Sequence, residues 1–493
     1  MDRLSLWQQS SACRLPVRRP PVRTQVVVAG GGLCGLLTAY WLCRRQVFDI
    51  TVIDAGEMAG GVTAHTTAKI TAQHGLIYQR LLLEQGAENA ALYAAAAKEA
   101  ETAYREVIED LSLSCDYTPC PSALYSTDEE GRKKLEQEAA ALTRLGRPFT
   151  LDRKAGLPFP VTAVLHTSGS ARFHPLQFAY GLIDYLRRQG VIFCPHTAAV
   201  GLEDDALLTT RGKIRADVAV LATHFPFWDM PGRYFARIWQ ERSYVLAAAH
   251  VPPLPEMYWG AGEGDVSLRS WPGGLLIGGG THRTGAAGRR HPLHHLMAQS
   301  APWHPGRRIV AAWSAQDCMT PDGMPYIGRY PQADRPHMRV YLATGFNKWG
   351  MTGSMTAATI LAGAITGAAP VYAPLFSPSR TVANRRSFYI ENAQVLKHYI
   401  GGYCRIPEES LSGLRAGEGR LLTVGGKRVG AYKNRDGRLF LVKPVCTHMG
   451  CVLNWNAEEK SWDCPCHGSR FDYRGRLLNT PAHRPLTRYK LSE

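Results

Sequence analysis

The N-terminal part of the chain alternates short apolar runs with longer helical patterns. Residues 25–29 form a β-branched run of the kind that builds a buried strand in a parallel sheet. A glycine-rich turn follows, then an apolar helix through Trp41, and then a second strand at residues 49–53. This strand–helix–strand order predicts an α/β domain built on a parallel sheet.

Later segments extend that domain and predict a second layer. Helical patterns occupy residues 87–111, 132–145 and 176–188. Strand patterns occupy residues 191–194, 218–224, 244–249 and 275–279. We expect the last two strands to belong to an antiparallel sheet that caps the α/β domain as a substrate domain.

The turn after the first strand carries a glycine motif. Gly30, Gly32 and Gly35 fit G-x-G-x-x-G, and Asp54 ends the second strand 24 residues after Gly30. Such glycines let the backbone approach a pyrophosphate at the helix N-terminus, while the acid accepts a ribose hydroxyl. The motif alone is weak evidence, but its strand–helix–strand setting favours a dinucleotide site over a glycine turn without a ligand.

The order of several further segments resembles the D-amino-acid-oxidase-like flavoprotein superfamily. The segments that carry this resemblance are residues 174–200, 218–224, 320–328 and 343–352. The resemblance favours FAD over NAD, and it implies an α/β FAD-binding Rossmann-type domain with an antiparallel-sheet substrate domain. It also implies that Val200 presents its backbone to the adenine. The other residues that it places at FAD are Gly61, Thr66, Thr67, Lys69, Thr223, Gly345, Asn347, Gly350, Met351 and Thr352.

Two short loops near the C-terminal end each pair a cysteine with a histidine. Cys446 and His448 form Cys-x-His, and Cys464 and His467 form Cys-x-x-His. Two thiolates on one iron and two imidazoles on the other are the ligands of a Rieske [2Fe–2S] centre. A structural zinc site is the alternative, but its ligands usually come as Cys-x-x-Cys or His-x-x-x-His pairs. The spacing therefore favours a Rieske centre.

Residues 401–493 resemble the Rieske family, which implies a small all-β domain. In the Rieske proteins of cytochrome complexes, the cysteines that match Cys451 and Cys466 form a disulfide between the cluster loops. Ser469 matches a serine that hydrogen-bonds a cluster sulfide in those proteins. Phe471 departs from the pattern, since the high-potential members have a tyrosine there, and fewer hydrogen bonds lower the reduction potential.

The chain as a whole resembles a bacterial group of FAD-dependent oxidoreductases with a C-terminal Rieske domain, the YhfW-like proteins. The segments that carry this match are residues 61–63, 66–69, 71–78, 240–244 and 313–317. We predict a dehydrogenase that oxidises a small amine, amino acid or hydroxy acid and passes electrons from the flavin to the cluster. The candidate catalytic residues are Arg242, Tyr244 and Lys348, and an arginine facing the flavin could clamp a substrate carboxylate as a bidentate partner.

Two other functions deserve comparison with this prediction. A Rieske oxygenase is disfavoured because it needs a mononuclear-iron domain, and only 26 residues follow His467. A non-catalytic redox-sensing or docking module, with a regulatory or structural cluster, remains the alternative.

No nucleic-acid recognition module accompanies the net charge of +16. The expected partners are therefore a small-molecule substrate and an unidentified electron acceptor or redox protein.

Composition and boundaries complete the prediction. With 493 residues and 45% hydrophobic content, the chain has material for several cores. Its twelve cysteines do not resemble a secreted disulfide framework, and neither a secretory signal nor a membrane span is apparent, so we expect a cytoplasmic protein. The predicted divisions are an extension (1–23), an oxidoreductase domain (24–375), a linker helix (376–400) and the Rieske domain (401–493). Within the oxidoreductase domain, FAD-binding parts are expected at 24–85, 165–225 and 310–375, and cap parts at 86–164 and 226–309.

Overall fold

The computed structural model of the protein describes residues 4–286, 291–382, 384–405, 411 and 413–489. The α-helices in these residues are α1 (Leu6–Ser10), α2 (Leu33–Arg44), α3 (Ile77–Glu84), α4 (Gly86–Asp110), α5 (Glu129–Arg144), α6 (Pro175–Arg188), α7 (Tyr234–Arg237), α8 (Pro292–Ser300), α9 (Gly350–Thr366) and α10 (Arg385–Cys404). Parts of the predicted extension, cap, linker and Rieske domain lie outside this description, at residues 1–3, 287–290, 383, 406–410, 412 and 490–493.

The strands divide between the oxidoreductase part and the C-terminal domain. The first group is β1 (Arg23–Ala29), β2 (Ile50–Ile53), β3 (Lys69–Ile70), β4 (Thr118–Pro119), β5 (Ser122–Ser126), β6 (Thr150–Asp152), β7 (Ala163–Thr167), β8 (Ala171–Arg172), β9 (Ile192–Cys194), β10 (Ala199–Leu202), β11 (Ala206–Thr209), β12 (Gly212–Leu221), β13 (Trp239–Ala249), β14 (Met257–Gly260), β15 (Ser267–Trp271), β16 (Gly274–Arg283), β17 (Arg308–Met319), β18 (Tyr326–Arg329) and β19 (Arg339–Thr344). The second group is β20 (Gly419–Val424), β21 (Lys427–Lys433), β22 (Leu439–Val442), β23 (Asn454–Asn456), β24 (Ser461–Asp463), β25 (Arg470–Asp472), β26 (Leu477–Asn479) and β27 (Arg488–Tyr489).

A mixed sheet forms the centre of the first domain. Its order is β10-β11-β12-β1-β2-β9, and β19 pairs with β12 and carries β18 at its side. Strand β1 pairs in parallel with β2 and β12, and β12 pairs in parallel with β19. Helices α2, α6 and α9 cover one face, since their apolar residues share a core with residues of β1 and β2. The predicted α/β domain is confirmed.

An eight-stranded sheet forms the second layer, in the order β17-β13-β16-β15-β14-β5-β7-β6. Its strands run antiparallel to their neighbours except where β14 meets β5. Side chains alternate between the two faces of such a sheet. Val245, Ala247 and Trp313 pack in the same core as α2 and α9, whereas Tyr244 and Leu246 pack with α8 on the opposite face. This is the predicted antiparallel substrate sheet.

The C-terminal domain consists of two small antiparallel sheets, β20-β21-β22-β27 and β23-β24-β25-β26. Its core includes Trp462 and Phe471, which are fully buried. The predicted linker helix corresponds to α10, which runs on to Cys404 and has no buried residue. Across the described ranges, no helix combines the length and the apolar character that crossing a membrane requires.

Candidate redox site

Glycines shape the turn between β1 and α2. A Cβ atom at Gly30, whose φ is +114°, would overlap the carbonyl oxygen of Ala222, and one at Gly35 would overlap that of Gly30. The turn therefore lies against the end of β12, and α2 packs closely on β1. At the start of α2, Oγ1 of Thr63 accepts a hydrogen bond from the N–H of Leu33 at 3.1 Å. The glycines of this turn allow the close backbone approach that a pyrophosphate at a helix N-terminus requires.

Asp54 follows β2 at the same edge of the sheet. Its two carboxylate oxygens accept hydrogen bonds from the N–H groups of Gly31 and Gly56, each at 2.8 Å. Burial raises the pKa of this carboxyl group, and the two hydrogen bonds oppose that rise. An acceptor held at the carboxyl end of the second strand fits the ribose of a dinucleotide.

The residues predicted to lie beside the flavin come together where α9 begins. Oγ1 of Thr352 donates to the carbonyl oxygen of Thr71 at 2.7 Å and accepts from its N–H at 3.2 Å. Asn347, with φ +50°, accepts from the N–H of Thr320 at 2.8 Å and donates to the carbonyl oxygen of Gly345 at 2.6 Å. These bonds join the first turn of α9 and the loop before it to the residues that follow β3 and β17.

The remaining predicted FAD contacts lie on nearby loops and strand ends. They are Gly61, Thr66 and Thr67 around the 3₁₀ turn Val62–His65, Val200 in β10, Thr223 after β12, and Gly350 and Met351 in the first turn of α9. Gly32, the middle glycine of the turn, caps α2. The glycine turn, Asp54 and Thr223 share the carboxyl edge of the parallel strands, where α/β sheets bind nucleotides. Their individual contacts with FAD stay predictions.

Lys69 reaches from β3 to the substrate sheet. Its Nζ donates to Oγ of Ser267 and lies 5.4 Å from the centre of the Trp259 ring. That ring in turn lies 5.2 Å from the ring of Trp349, at the start of α9. Burial, with the positive charge of Arg269 as a smaller cause, lowers the pKa of Lys69 to about 7. A buried lysine of this kind exchanges a proton readily near neutral pH.

The four predicted cluster ligands meet at the tips of two loops in the C-terminal domain. Cys446 and Cys464 are buried, and their thiols share a hydrogen bond. That bond, with a further bond from Ser469, lowers the pKa of Cys446. The imidazole rings of His448 and His467 lie with their centres 5.1 Å apart. The structure thus brings together two thiols and two imidazoles.

The histidines present the donor atoms that a cluster needs. Nε2 of His448 lies 3.1 Å from a carboxylate oxygen of Asp229, while its Nδ1 is buried without a hydrogen-bond partner among the described residues. Burial lowers the pKa of His467 to about 3, so its ring is neutral, the form that binds metal. These residues fit the [2Fe–2S] ligand set.

A disulfide joins Cys451 to Cys466, whose Cα atoms are 6.5 Å apart. The bond connects the two ligand loops in the way that the resemblance implied. Oγ of Ser469 accepts from the N–H of Ala482 at 3.0 Å, which holds this serine next to the cysteines. Phe471 is fully buried in the same core and offers no hydroxyl group. The surroundings therefore favour a potential in the lower part of the Rieske range.

The cluster loop after Cys464 rests on the substrate sheet. Nε2 of Gln240, in β13, donates to the carbonyl oxygen of His467 at 2.8 Å. Nε2 of Gln316, in β17, donates to the carbonyl oxygen of Gly468 at 2.9 Å. Both glutamines are buried, so these bonds are shielded from water.

The candidate catalytic residues have partners of their own. Arg242 is buried and pairs with Glu459 of the C-terminal domain at 2.6 Å. Tyr244 is fully buried on the face of the sheet that packs with α8. Lys348, with φ +71°, pairs with Glu241 at 2.8 Å. Their catalytic roles stay predictions, and the contacts of Arg242 place it in the contact between the two domains.

Sequence reasoning did not single out Asp229, the residue that binds His448. It lies between β12 and α7, outside any motif, and only its burial distinguishes it. Residues that bind the free nitrogen of a metal-ligating histidine orient the ring and tune the metal. A buried acid in a loop of the first domain carries no sequence signal that ties it to a distant histidine.

Exchange of Asp229 for asparagine should raise the reduction potential of the cluster, because it removes a negative charge beside His448, a predicted iron ligand. At an effective dielectric constant of about 20, a neighbouring unit charge contributes about 2 kcal/mol, which is roughly 90 mV for a one-electron couple. Spectroelectrochemical titration measures the change. Asp217→Asn, which removes an exposed carboxylate paired with Arg23, should leave the potential unchanged. Equal potentials in wild type and Asp229→Asn would contradict this role.

Comparison with known proteins assigns the family. Residues 25–364 match the FAD dependent oxidoreductase family DAO, and residues 404–490 match the Rieske [2Fe-2S] domain. The chain belongs to this FAD-dependent oxidoreductase family and carries a Rieske domain at its C-terminal end. It is 34% identical over 498 residues to the putative Rieske 2Fe-2S iron-sulfur protein YhfW of Bacillus subtilis (strain 168), which covers 98% of this chain and 97% of that protein.

Solved structures share the fold of the oxidoreductase part. Glycine oxidase from Geobacillus kaustophilus has a TM-score of 0.62 at 18% identity, over 73% of this chain and 100% of that one. L-proline dehydrogenase from P. horikoshii has a TM-score of 0.61 at 18% identity, over 73% of this chain and 98% of that one.

The cytochrome b6-f complex iron-sulfur subunit of Synechococcus elongatus is a sequence relative that is 32% identical over 91 residues, which are 18% of this chain and 46% of that protein. The prediction of an FAD enzyme with a Rieske [2Fe–2S] domain is confirmed.

Proposed function

We propose that the protein is a dehydrogenase that oxidises a small amine, amino acid or hydroxy acid and passes the electrons to its own Rieske cluster. The observation that carries this proposal is the position of β13 and β17 between the two sites. On one face, Gln240 and Gln316 hold the cluster loop. Glu241 lies between Gln240 and Arg242 in β13 and binds Lys348 at the start of α9. Two adjacent strands therefore contact both the cluster loop and the loop before α9, where the flavin is predicted to lie.

The electron chemistry of the two cofactors supports the pairing of a flavin site with a Rieske cluster in one chain. When bound, FAD takes two electrons from a substrate, and a Rieske cluster accepts one electron at a time. The chain's residues supply position and shielding. Gln240 and Gln316 fix the position of the cluster loop on the sheet. The buried ion pair between Arg242 and Glu459 holds the C-terminal domain against the substrate sheet.

The side chains on and beside the substrate sheet favour a small acidic substrate. The rings of Trp259 in β14 and Trp349 before α9 lie 5.2 Å apart, and Lys69 and Ser267 add polar groups beside Trp259. Arg269 lies two residues beyond Ser267 in β15, is 2% exposed, and has Nε and Nη1 without hydrogen-bond partners in the described part of the chain. A substrate carboxylate would suit the guanidinium group of Arg269. The fold relatives glycine oxidase and L-proline dehydrogenase agree with an amino acid, which is the class that we favour.

A redox-sensing or docking module is the second candidate. It is favoured by the buried ion pair between Glu459 and Arg242, because this pair binds the two domains together independently of any reaction. We also propose that the protein acts in the cytoplasm. Ten described cysteines have no disulfide partner, which suits a reducing compartment.

An anaerobic substrate screen tests the proposed function. Purified protein with both cofactors bound is mixed with amino acids, amines and hydroxy acids while its visible spectrum is recorded. We expect at least one amino acid to bleach the flavin band in repeated turnover with an artificial electron acceptor. If no member of the three classes bleaches the flavin, the sensing or docking function replaces this proposal.

Exchange of Lys69 for methionine should lower kcat/KM by roughly 100-fold or more, in line with the loss of a proton-transferring group. Because the pKa of Lys69 is lowered to about 7, the wild-type rate should rise as the pH passes through that value and the neutral amine forms. The variant should lose this rise. Lys213→Met, which removes an exposed lysine paired with Glu203, is the matched control and should keep both the rate and the pH profile. A wild-type pH profile in Lys69→Met would exclude Lys69 from proton transfer.

A further inference from the structure

Two histidines and a glutamate meet at the border between the substrate sheet and the C-terminal domain. His291 immediately precedes α8, and His294 lies in the first turn of that helix. Glu458 lies in the turn between β23 and β24. Oε2 of Glu458 is 3.7 Å from Nδ1 of His291 and 3.4 Å from Nδ1 of His294. One potential ligand atom from each side chain lies within 4.8 Å of the other two.

These separations suit ligands that share one ion. Hydrogen bonds between nitrogen and oxygen span about 2.7–3.2 Å, so both contacts are longer than good hydrogen bonds. In a tetrahedral site with metal–ligand distances of about 2.0–2.2 Å, neighbouring ligand atoms lie roughly 3.3–3.6 Å apart. Two imidazole nitrogens and one carboxylate oxygen, with a fourth position for water, form a ligand set that suits Zn²⁺.

The exposure and orientation of the side chains also suit an ion that enters from solvent. The side chain of Glu458 is 2% exposed, whereas those of His291 and His294 are 51% and 72% exposed. The exposed imidazoles leave a route from solvent for an ion. Their rings lie 5.4 Å apart at 83°, and both turn Nδ1 toward the same carboxylate oxygen.

We propose that His291, His294 and Glu458 form a binding site for a divalent transition-metal ion, with Zn²⁺ as the expected occupant. The ion would connect the helix packed on the substrate sheet to the Rieske domain. Glu459, the next residue, already pairs with Arg242 of the substrate sheet. The metal is thus a second link beside that ion pair, and it holds the cluster loops against β13 and β17. This site is distinct from the flavin and cluster sites and does not depend on the identity of the substrate.

Zn²⁺ titration against a chromophoric chelator tests the site. The protein is tag-free and carries its FAD and its full iron content, so that the cluster cysteines and histidines are occupied. Wild type should bind one Zn²⁺ per chain at this site. His294→Ala and Glu458→Gln should bind it roughly 100-fold more weakly or worse, because even the loss of an outer-shell partner costs about 10–100-fold. His295→Ala, which removes an exposed neighbour on the same helix, is the matched control and should keep the wild-type affinity.

Co²⁺ provides a direct view of the ligands. Bound Co²⁺ should give the visible absorption of a four-coordinate nitrogen and oxygen site in wild type and in His295→Ala, and none in His294→Ala. The side chain of His294 is exposed, so this variant should retain its flavin and iron, which are measured in the same samples. If the two histidines serve only as protonated partners of Glu458, Zn²⁺ will not bind, or it will bind equally to all four proteins. Either result overturns the proposal.

Discussion

Exchange of Cys464 for serine should remove the [2Fe–2S] cluster from the protein while FAD stays bound. Cys464 is fully buried beside Cys446, where a serine hydroxyl is a much poorer ligand for iron than a thiolate. Iron and acid-labile sulfide should fall from about two each per chain to nearly zero. Flavin content should stay at about one per chain, because the glycine turn and Asp54 lie in a separate domain.

Cys404→Ser is the matched control for this experiment. Cys404 is exposed at the end of α10 and belongs to neither site. This variant should keep the iron, the sulfide and the flavin of wild type. Full iron content in Cys464→Ser, or zinc in place of iron in anaerobically purified wild type, would contradict the assignment of the cluster ligands.

Exchange of Gly35 for valine should strongly weaken the binding of FAD. A Cβ atom at this position would overlap the carbonyl oxygen of Gly30, and the branched side chain would also press on Val28 of β1. Overpacking of this kind costs about 1–3 kcal/mol or more, so the affinity for FAD should fall by roughly 10–100-fold or more. Fluorescence titration of the flavin-free protein with FAD measures this loss.

Gly306→Val is the control for the glycine variant. Nothing lies within 4 Å of a Cβ atom at Gly306, so the same side chain should be tolerated there. Both variants should retain the cluster, since the Rieske domain has its own core. Wild-type FAD affinity in Gly35→Val would show that the close approach of α2 to β1 is not needed for FAD binding.

The local motifs could be predicted from the sequence because each is a short run with its own chemistry. Gly30 to Gly35 and Cys464 to His467 each lie within a few residues, so spacing alone indicates the ligand. The type of domain followed from strand and helix patterns, and the pairing of Cys451 with Cys466 followed from the family resemblance. The observed ends of the elements differ from the predicted ends by a few residues. For example, α10 continues to Cys404, whereas the predicted linker helix ends at residue 400.

The contacts between domains could not be predicted in this way. Asp229 binds a histidine 219 positions away, and Gln240 binds a carbonyl group 227 positions away. Such contacts depend on how two finished domains pack, and no local pattern records that packing. Arg242 illustrates the limit, because no sequence pattern indicated its ion pair with Glu459, while its role as a substrate clamp stays a prediction.

The order of electron flow within one chain tests the central claim most directly. Wild-type protein and substrate are mixed anaerobically, flavin absorbance is followed by stopped flow, and freeze-quenched samples are examined by electron paramagnetic resonance. Flavin bleaching should come first, and the signal of the reduced cluster should follow at a rate that does not depend on protein concentration. Cys464→Ser should show the first phase alone. A reduced flavin beside a cluster that stays oxidised, or a second phase that accelerates with protein concentration, would contradict electron transfer within the chain.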